Sequence, residues 1–136
     1  MTEVVLDTDV FSYLADERSR AGTFAGHLYG LRTVLAFPTV AELHYGARRA
    51  KWGESRIRRL ERDIARHGLL LPTEGSLRLC GRLRAEAVAL GHPLGQPQHA
   101  NDLWIAACAV HYDVPLLTGN ERHFEGLPGL RVIPTA

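Results

Sequence analysis

Cysteine is scarce in this chain: Cys80 and Cys108 are the only two, and both sit inside apolar helical patterns. That excludes a disulfide-stapled scaffold and predicts two buried free thiols. Lysine is scarcer still, since Lys51 stands alone among sixteen basic residues. No apolar run approaches the roughly 18 residues of a membrane span. The start, Met1-Thr2-Glu3, lacks the basic opening and apolar stretch of a signal peptide. The chain is therefore expected to be cytoplasmic and to have no membrane association. Its seven histidines show neither HExxH nor any Cys/His cluster spacing. His92 and His99, in a Gly- and Pro-rich stretch, are expected to be simply solvated. Internal repeats, low-complexity tracts and linkers are also missing, so residues 1–136 are expected to form one domain with its own core.

What is present is an alternation of strand-like and helix-like segments. The β-branched run at 3–7 predicts a strand, as do the apolar runs at 34–37, 69–71, 115–118 and 130–133. Helices are predicted over 9–16, 20–31, 39–51, 54–67, 74–90 and 102–112, with Pro38 and Pro72 stopping the strands before them. Val10, Phe11 and Leu14, and later Leu77, Leu83 and Val88, are the inward candidates. The stretch 91–100 reads as a loop. Strands alternating with helices imply an α/β sandwich with a mostly parallel sheet.

Three acids stand where such a sheet would gather them. Asp7 ends the Val4-Val5-Leu6 run, Glu42 follows the second strand, and Asp102 opens an apolar helix. In a parallel sheet, strand C-termini and the N-termini of the helices that follow share one edge, where ligands of open α/β folds bind. The 17-residue helix before 91 is about 25 Å long, and ten extended loop residues span roughly 33 Å. The loop can thus return Asp102 to that edge. Gathered carboxylates suit a hard cation such as Mg²⁺ or Mn²⁺. Each acid also has a reading without a metal: a Thr39–Glu42 capping box, a dipole-favouring Asp102 after an Asn101 cap, and a strand-to-helix turn at Asp7 and Asp9. Between Glu42 and Arg66, eight basic residues face four acidic ones in a chain of net charge +1. That excess is a modest electrostatic footprint. Arg56, Arg59 and Arg62 oppose Ile57, Leu60 and Ile64, as on any solvated amphipathic face.

These segments resemble the PIN-domain ribonucleases, and among them the VapC-like toxins of type II toxin–antitoxin pairs. The likeness spans essentially the whole chain. It rests on Val5-Leu6-Asp7-Thr8-Asp9-Val10, Thr39-Val40-Ala41-Glu42-Leu43-xx-Gly46, Asn101-Asp102-Leu103-xx-Ala106-Ala107, and Leu117-Thr118-Gly119-Asn120-xx-His123-Phe124. The resemblance implies a three-layer α/β/α fold and a Mg²⁺- or Mn²⁺-dependent endoribonuclease that cleaves cellular RNA and inhibits translation. By that likeness Asp7, Glu42 and Asp102 match the acidic triad, and Thr8, Thr118 and Asn120 would position phosphate or water. Arg48 and Arg49 would follow the RNA backbone. Many family members carry a fourth acid near Thr118-Gly119-Asn120, where this chain has an amide, which leaves one or two metals open. The implied partners are an RNA substrate, a cognate VapB-like antitoxin and a second copy in a homodimer. Ala15, Ala21 and Phe24 are candidates for lining the antitoxin groove. Asp7-Thr8-Asp9 also resembles the start of a haloacid-dehalogenase-type phosphotransferase motif, but Phe11 stands where that motif wants Thr or Val. A catalytically silent α/β binding module is the remaining alternative.

Overall fold

The apolar run Val4-Val5-Leu6 is wholly buried because it forms a strand covered on both faces. The structure, a computed structural model, describes residues 2–16 and 24–135. Four parallel strands, β1 (Glu3–Leu6), β2 (Arg32–Ala36), β3 (Gly68–Leu70) and β4 (Leu116–Leu117), lie in the order β3-β2-β1-β4. Val5, Val34 and Leu116 face one apolar cluster. Their neighbours Val4, Leu6, Leu35 and Leu117 face the other, as the two-residue period of a strand requires. The sheet is thus the middle layer of an α/β/α sandwich.

On one face pack α1 (Thr8–Ala15), α2 (Phe37–Arg49) and α3 (Glu54–Ala65), through Val10, Phe11, Ala47, Ile57 and Leu60. On the other lie α4 (Glu74–Leu90) and α5 (Ala100–His111), through Leu83, Ala87 and the run Leu103 to Ala109. A reciprocal cap starts α4: Thr73 Oγ1 accepts from the Ser76 amide at 3.1 Å, and Ser76 Oγ accepts from the Thr73 amide at 2.7 Å. Gly91, at φ 68°, ends it in the left-handed region that favours glycine. Cys80 and Cys108 are free and buried. Burial pushes the Cys108 thiol up to about 11, so it is inert.

Several expectations shift. Pro38 does not stop β2 from outside the next helix; it lies in the first turn of α2, where its missing N–H costs nothing. Thr39 is therefore inside the helix, and no side chain caps α2, so the capping-box account of Glu42 fails. The helix expected over 20–31 lies partly outside the described residues; within them Phe24 and Ala25 are helical, and Gly26–Leu28 is a 3-10 turn. Leu77 and Val88 are 54% and 63% exposed; the inward positions of α4 are Ser76, Cys80, Leu83 and Ala87. The last apolar run makes only a single parallel bridge, Val132 to Leu116. A short helix α6 (Glu121–Phe124) follows β4, and 3-10 turns at Pro93–Gly95 and Pro97–His99 fill the expected loop.

Candidate metal centre

Strand order locates the crevice. From β1 the chain winds outward to β2 and β3, then returns to place β4 on the opposite side of β1. The reversal lies between β1 and β4, and ligands of open α/β sheets bind beyond strand ends at such a point. Val5 pairs with Leu116 and Leu6 with Leu117, so Asp7 and Thr118 leave the sheet side by side. The Asp7 amide donates to the Leu117 carbonyl at 3.0 Å, and the Thr118 hydroxyl donates to Asp7 Oδ2 at 2.7 Å. Asp7 Oδ1 accepts from the Thr8 amide at 2.8 Å, which makes Asp7 the N-cap of α1. Its expected role in a strand-to-helix turn is real, and it also places a carboxylate at the crevice.

Asp7 is 7% exposed. Burial, the largest influence, pushes its carboxyl up to about 7. The bonds from Thr118 and Thr8 oppose that rise, while the charges of Asp9 and Asp102 add to it. Glu42, in the second turn of α2, is raised first by burial and then by the Asp102 charge. Asp102, the third residue of α5, thus acts on both of the others. Its expected Asn101 cap is absent, because α5 begins at Ala100 with His99 before it. Glu42 Oε1 is buried and has no hydrogen-bond partner among the described residues. An orphaned oxygen beside a like charge is costly unless a cation or proton compensates. The donor set, all carboxylate oxygen, fits a hard divalent ion.

The supporting residues divide. The Thr8 hydroxyl donates to the buried Thr39 hydroxyl at 3.1 Å, tying α1 to α2. Thr118 Oγ1 accepts from the Asn120 amide at 3.0 Å, while the Asn120 side chain caps nothing. At Gly119 a Cβ would stand 2.6 Å from Asp9 Oδ2, so a side chain there would require the Asp9 carboxylate to shift. Arg48 and Arg49 are exposed in the last turn of α2, and Arg48 makes only a loose 3.9 Å pair with Glu54.

Two histidines belong to the site's surroundings, His99 contrary to the expectation that it is simply solvated. His123 Nε2 lies 2.9 Å from Asp102 Oδ2, and the His99 and His123 rings meet edge-on with centroids 4.5 Å apart. His92 is structural rather than merely solvated. Its Nδ1 accepts from the Leu94 amide at 3.1 Å, which leaves Nε2 to donate to the Glu125 carbonyl at 2.8 Å. His123 was visible in the Asn120-xx-His123-Phe124 pattern, but no spacing rule joined it to His99.

A family profile described as PIN domain matches residues 4–130. Ribonuclease VapC1 of Haemophilus influenzae strain R2866 is 32% identical over 129 residues, covering 93% of each chain. The tRNA(fMet)-specific endonuclease VapC of Shigella flexneri is 26% identical over 131 residues, covering 96% of each. Among solved structures, DNA-bound VapBC from Salmonella typhimurium superposes with a TM-score of 0.83 at 26% identity, covering 100% of both chains. VapBC-1 from nontypeable Haemophilus influenzae gives 0.81 at 30% identity and 97% coverage of both.

Proposed function

The chain belongs to the PIN-domain family, and from that premise we propose that it is an endoribonuclease toxin whose acidic crevice holds a divalent cation and whose activity an antitoxin protein silences. The observation that carries this reading is the buried, partnerless oxygen of Glu42 beside Asp102, at the edge where Asp7 emerges. Asp7, Asp102 and Glu42 would hold Mg²⁺ or Mn²⁺, which supplies an activated water and neutralises charge on a phosphodiester.

The residues have distinct tasks. Asp7 is oriented by Thr118 and Thr8, so the Thr118 hydroxyl acts through that carboxylate. Thr8 braces the α1–α2 contact in the same way. Glu42, whose carboxyl is shifted upward, is suited to accept a proton from the attacking water. The exposed amide of Asn120 is available to position water or phosphate without adding charge. Arg49 lies seven residues beyond Glu42 on α2, about 10 Å along the same helical face. It and Arg48 would track the RNA backbone, supplying affinity rather than sequence choice.

For the antitoxin, the favoured surface is a cavity of about 710 Å³ between α1 and α3, walled by Phe11, Leu14 and Ala15 and rimmed by Arg59, Arg66, Asp16 and Asp63. Of the groove residues expected from sequence, Ala15 lines it, Phe24 is buried beneath α1 against Tyr13, and Ala21 lies outside the described residues. The proposed location is the cytoplasm, where RNA and antitoxin meet; no described helix is long and apolar enough to cross a membrane.

The deciding assay is cleavage of structured RNA with Mn²⁺, repeated with EDTA. Cleavage lost with the chelator and restored by added ion supports the reading. Metal-indifferent cleavage, or none from a folded chain freed of antitoxin, refutes it.

A further inference from the structure

Beside the acidic crevice lies a donor set of different chemistry. His99, Asp102 and His123 each offer one ligand atom, and the three atoms lie within 4.8 Å of one another. Two of them, His123 Nε2 and Asp102 Oδ2, are 2.9 Å apart. Donors at that separation, each bonded to an ion at about 2.1 Å, subtend about 90° at it. That is the angle between neighbouring ligands of a six-coordinate ion, so the pair needs little movement to receive one.

The scaffold holds the donors in place from two directions. His99 and Asp102 are three residues apart at the start of α5, and this spacing puts them on one helical face. The 3-10 turn of Pro97–His99 sets His99, whose amide bonds the Gln96 carbonyl at 3.0 Å. His123 comes from α6, which is fixed at both ends. Glu121 accepts from the Thr135 amide at 2.7 Å, and the Glu125 carbonyl is bonded to His92. The His123 side chain is only 13% exposed, against 32% for Asp102. A surface ion pair would not need His99. Yet His99 stands against His123, and its ring makes no hydrogen bond among the described residues.

We propose that His99, Asp102 and His123 form a site for a divalent transition metal of the imidazole-preferring kind, such as Co²⁺, Ni²⁺ or Zn²⁺, adjoining the acidic crevice and sharing Asp102 with it. Two imidazoles and one carboxylate on one face of an ion leave further positions open to water or phosphate. Mg²⁺, which prefers oxygen, is the wrong ion for this set. The proposal goes beyond the RNA-cleavage reading and is tested by binding alone, so its failure leaves that reading standing.

The experiment is a Co²⁺ titration of the untagged, chelator-stripped full chain, followed by visible absorption and calorimetry with Mg²⁺ in excess. The expected result is tight uptake of Co²⁺ that the Mg²⁺ does not displace. His99→Ala and His123→Ala should each weaken it by more than about tenfold, since even an outer partner of a metal ligand is worth that much. His111→Ala, at the far end of α5 and about 18 Å from His99, should bind as the wild type does. Thermal unfolding checks that each variant folds. If His123→Ala does not, His99→Ala carries the test, because its ring supports no hydrogen bond among the described residues. Wild-type Co²⁺ affinity in both His99→Ala and His123→Ala, or displacement by Mg²⁺, overturns the proposal.

Discussion

Asp7 and Asp102 flank the same crevice but are held by opposite means. Both oxygens of Asp7 are engaged, by a hydroxyl and an amide, in a nearly dry corner between two strands. Asp102 stands half-open at a helix start, with one oxygen on an imidazole. A desolvated, pre-bonded carboxylate cannot move to suit a ligand, so what responds there is its protonation. A half-solvated one can exchange partners. In the proposed site, one flank would fix the geometry and the other would adjust to what arrives. Glu42, near Asp102, is half-buried, and its Oε1 is enclosed without a hydrogen-bond partner among the described residues.

The largest effect should come from Asp102→Asn, which breaks the adjustable flank while keeping side-chain size. If the acid only favours the dipole of α5, the change costs about 0.3–1 kcal/mol and spares activity. We expect RNA cleavage to fall by orders of magnitude with the fold intact, measured beside thermal unfolding. An active variant would return Asp102 to a structural role.

Asp7→Asn sharpens the fixed flank. With its carboxyl raised from 3.8 to about 7, the metal-free fold holds that proton more tightly than the unfolded chain does. The resulting stability is complete below about pH 4 and is lost as pH rises through 7. A shift of about three units corresponds to on the order of 4 kcal/mol. In EDTA, the wild-type midpoint should decline between pH 4 and 7 and the Asp7→Asn midpoint should stay flatter; parallel curves would dismiss the burial argument. With Mg²⁺ the trend should oppose this, because ligation requires the carboxylate.

Glu42→Gln tests the intermediate case. The variant should fold, while the rise in melting midpoint that Mg²⁺ gives the wild type shrinks or disappears. An undiminished rise would mean that Glu42 does not contribute to the ion's binding. Smaller still are Arg48→Ala and Arg49→Ala, which lie off both flanks. Each should weaken RNA binding alike across sequences and lower the salt slope of log K by about 0.7, the single-strand value per phosphate. Asn120→Ala should be mildest, a modest loss of cleavage, because its amide brings no charge.

Much of this arrangement was readable along the chain. Val4-Val5-Leu6 announces a strand buried on both faces, and the alternation of elements announces a parallel sheet; the shared edge expected from it for Asp7, Glu42 and Asp102 has its counterpart in the Asp102 charge acting on each of the other two. Other features were not readable, for identifiable reasons. Pro38 ends a strand and opens a helix with equal ease, since the first turn needs no N–H from it, and this undid the capping box read from Thr39 and Glu42. Leu77 and Val88 look inward by composition, but the face of α4 turned to the core carries Ser76, Cys80, Leu83 and Ala87, a choice of face that helical spacing alone does not make.

The sequence by itself determined the period of each apolar pattern, the acidic end of β1 and the capped start of α4. These depend on neighbours within a turn or a pleat, where side-chain direction follows from spacing alone. Only the tertiary structure decided that β4 pairs with β1, which sets Thr118 against Asp7, and that α6 turns His123 onto Asp102 beside His99. Those contacts join residues 21 to 111 positions apart. Strand order and packing, which no local pattern encodes, bring them within bonding distance.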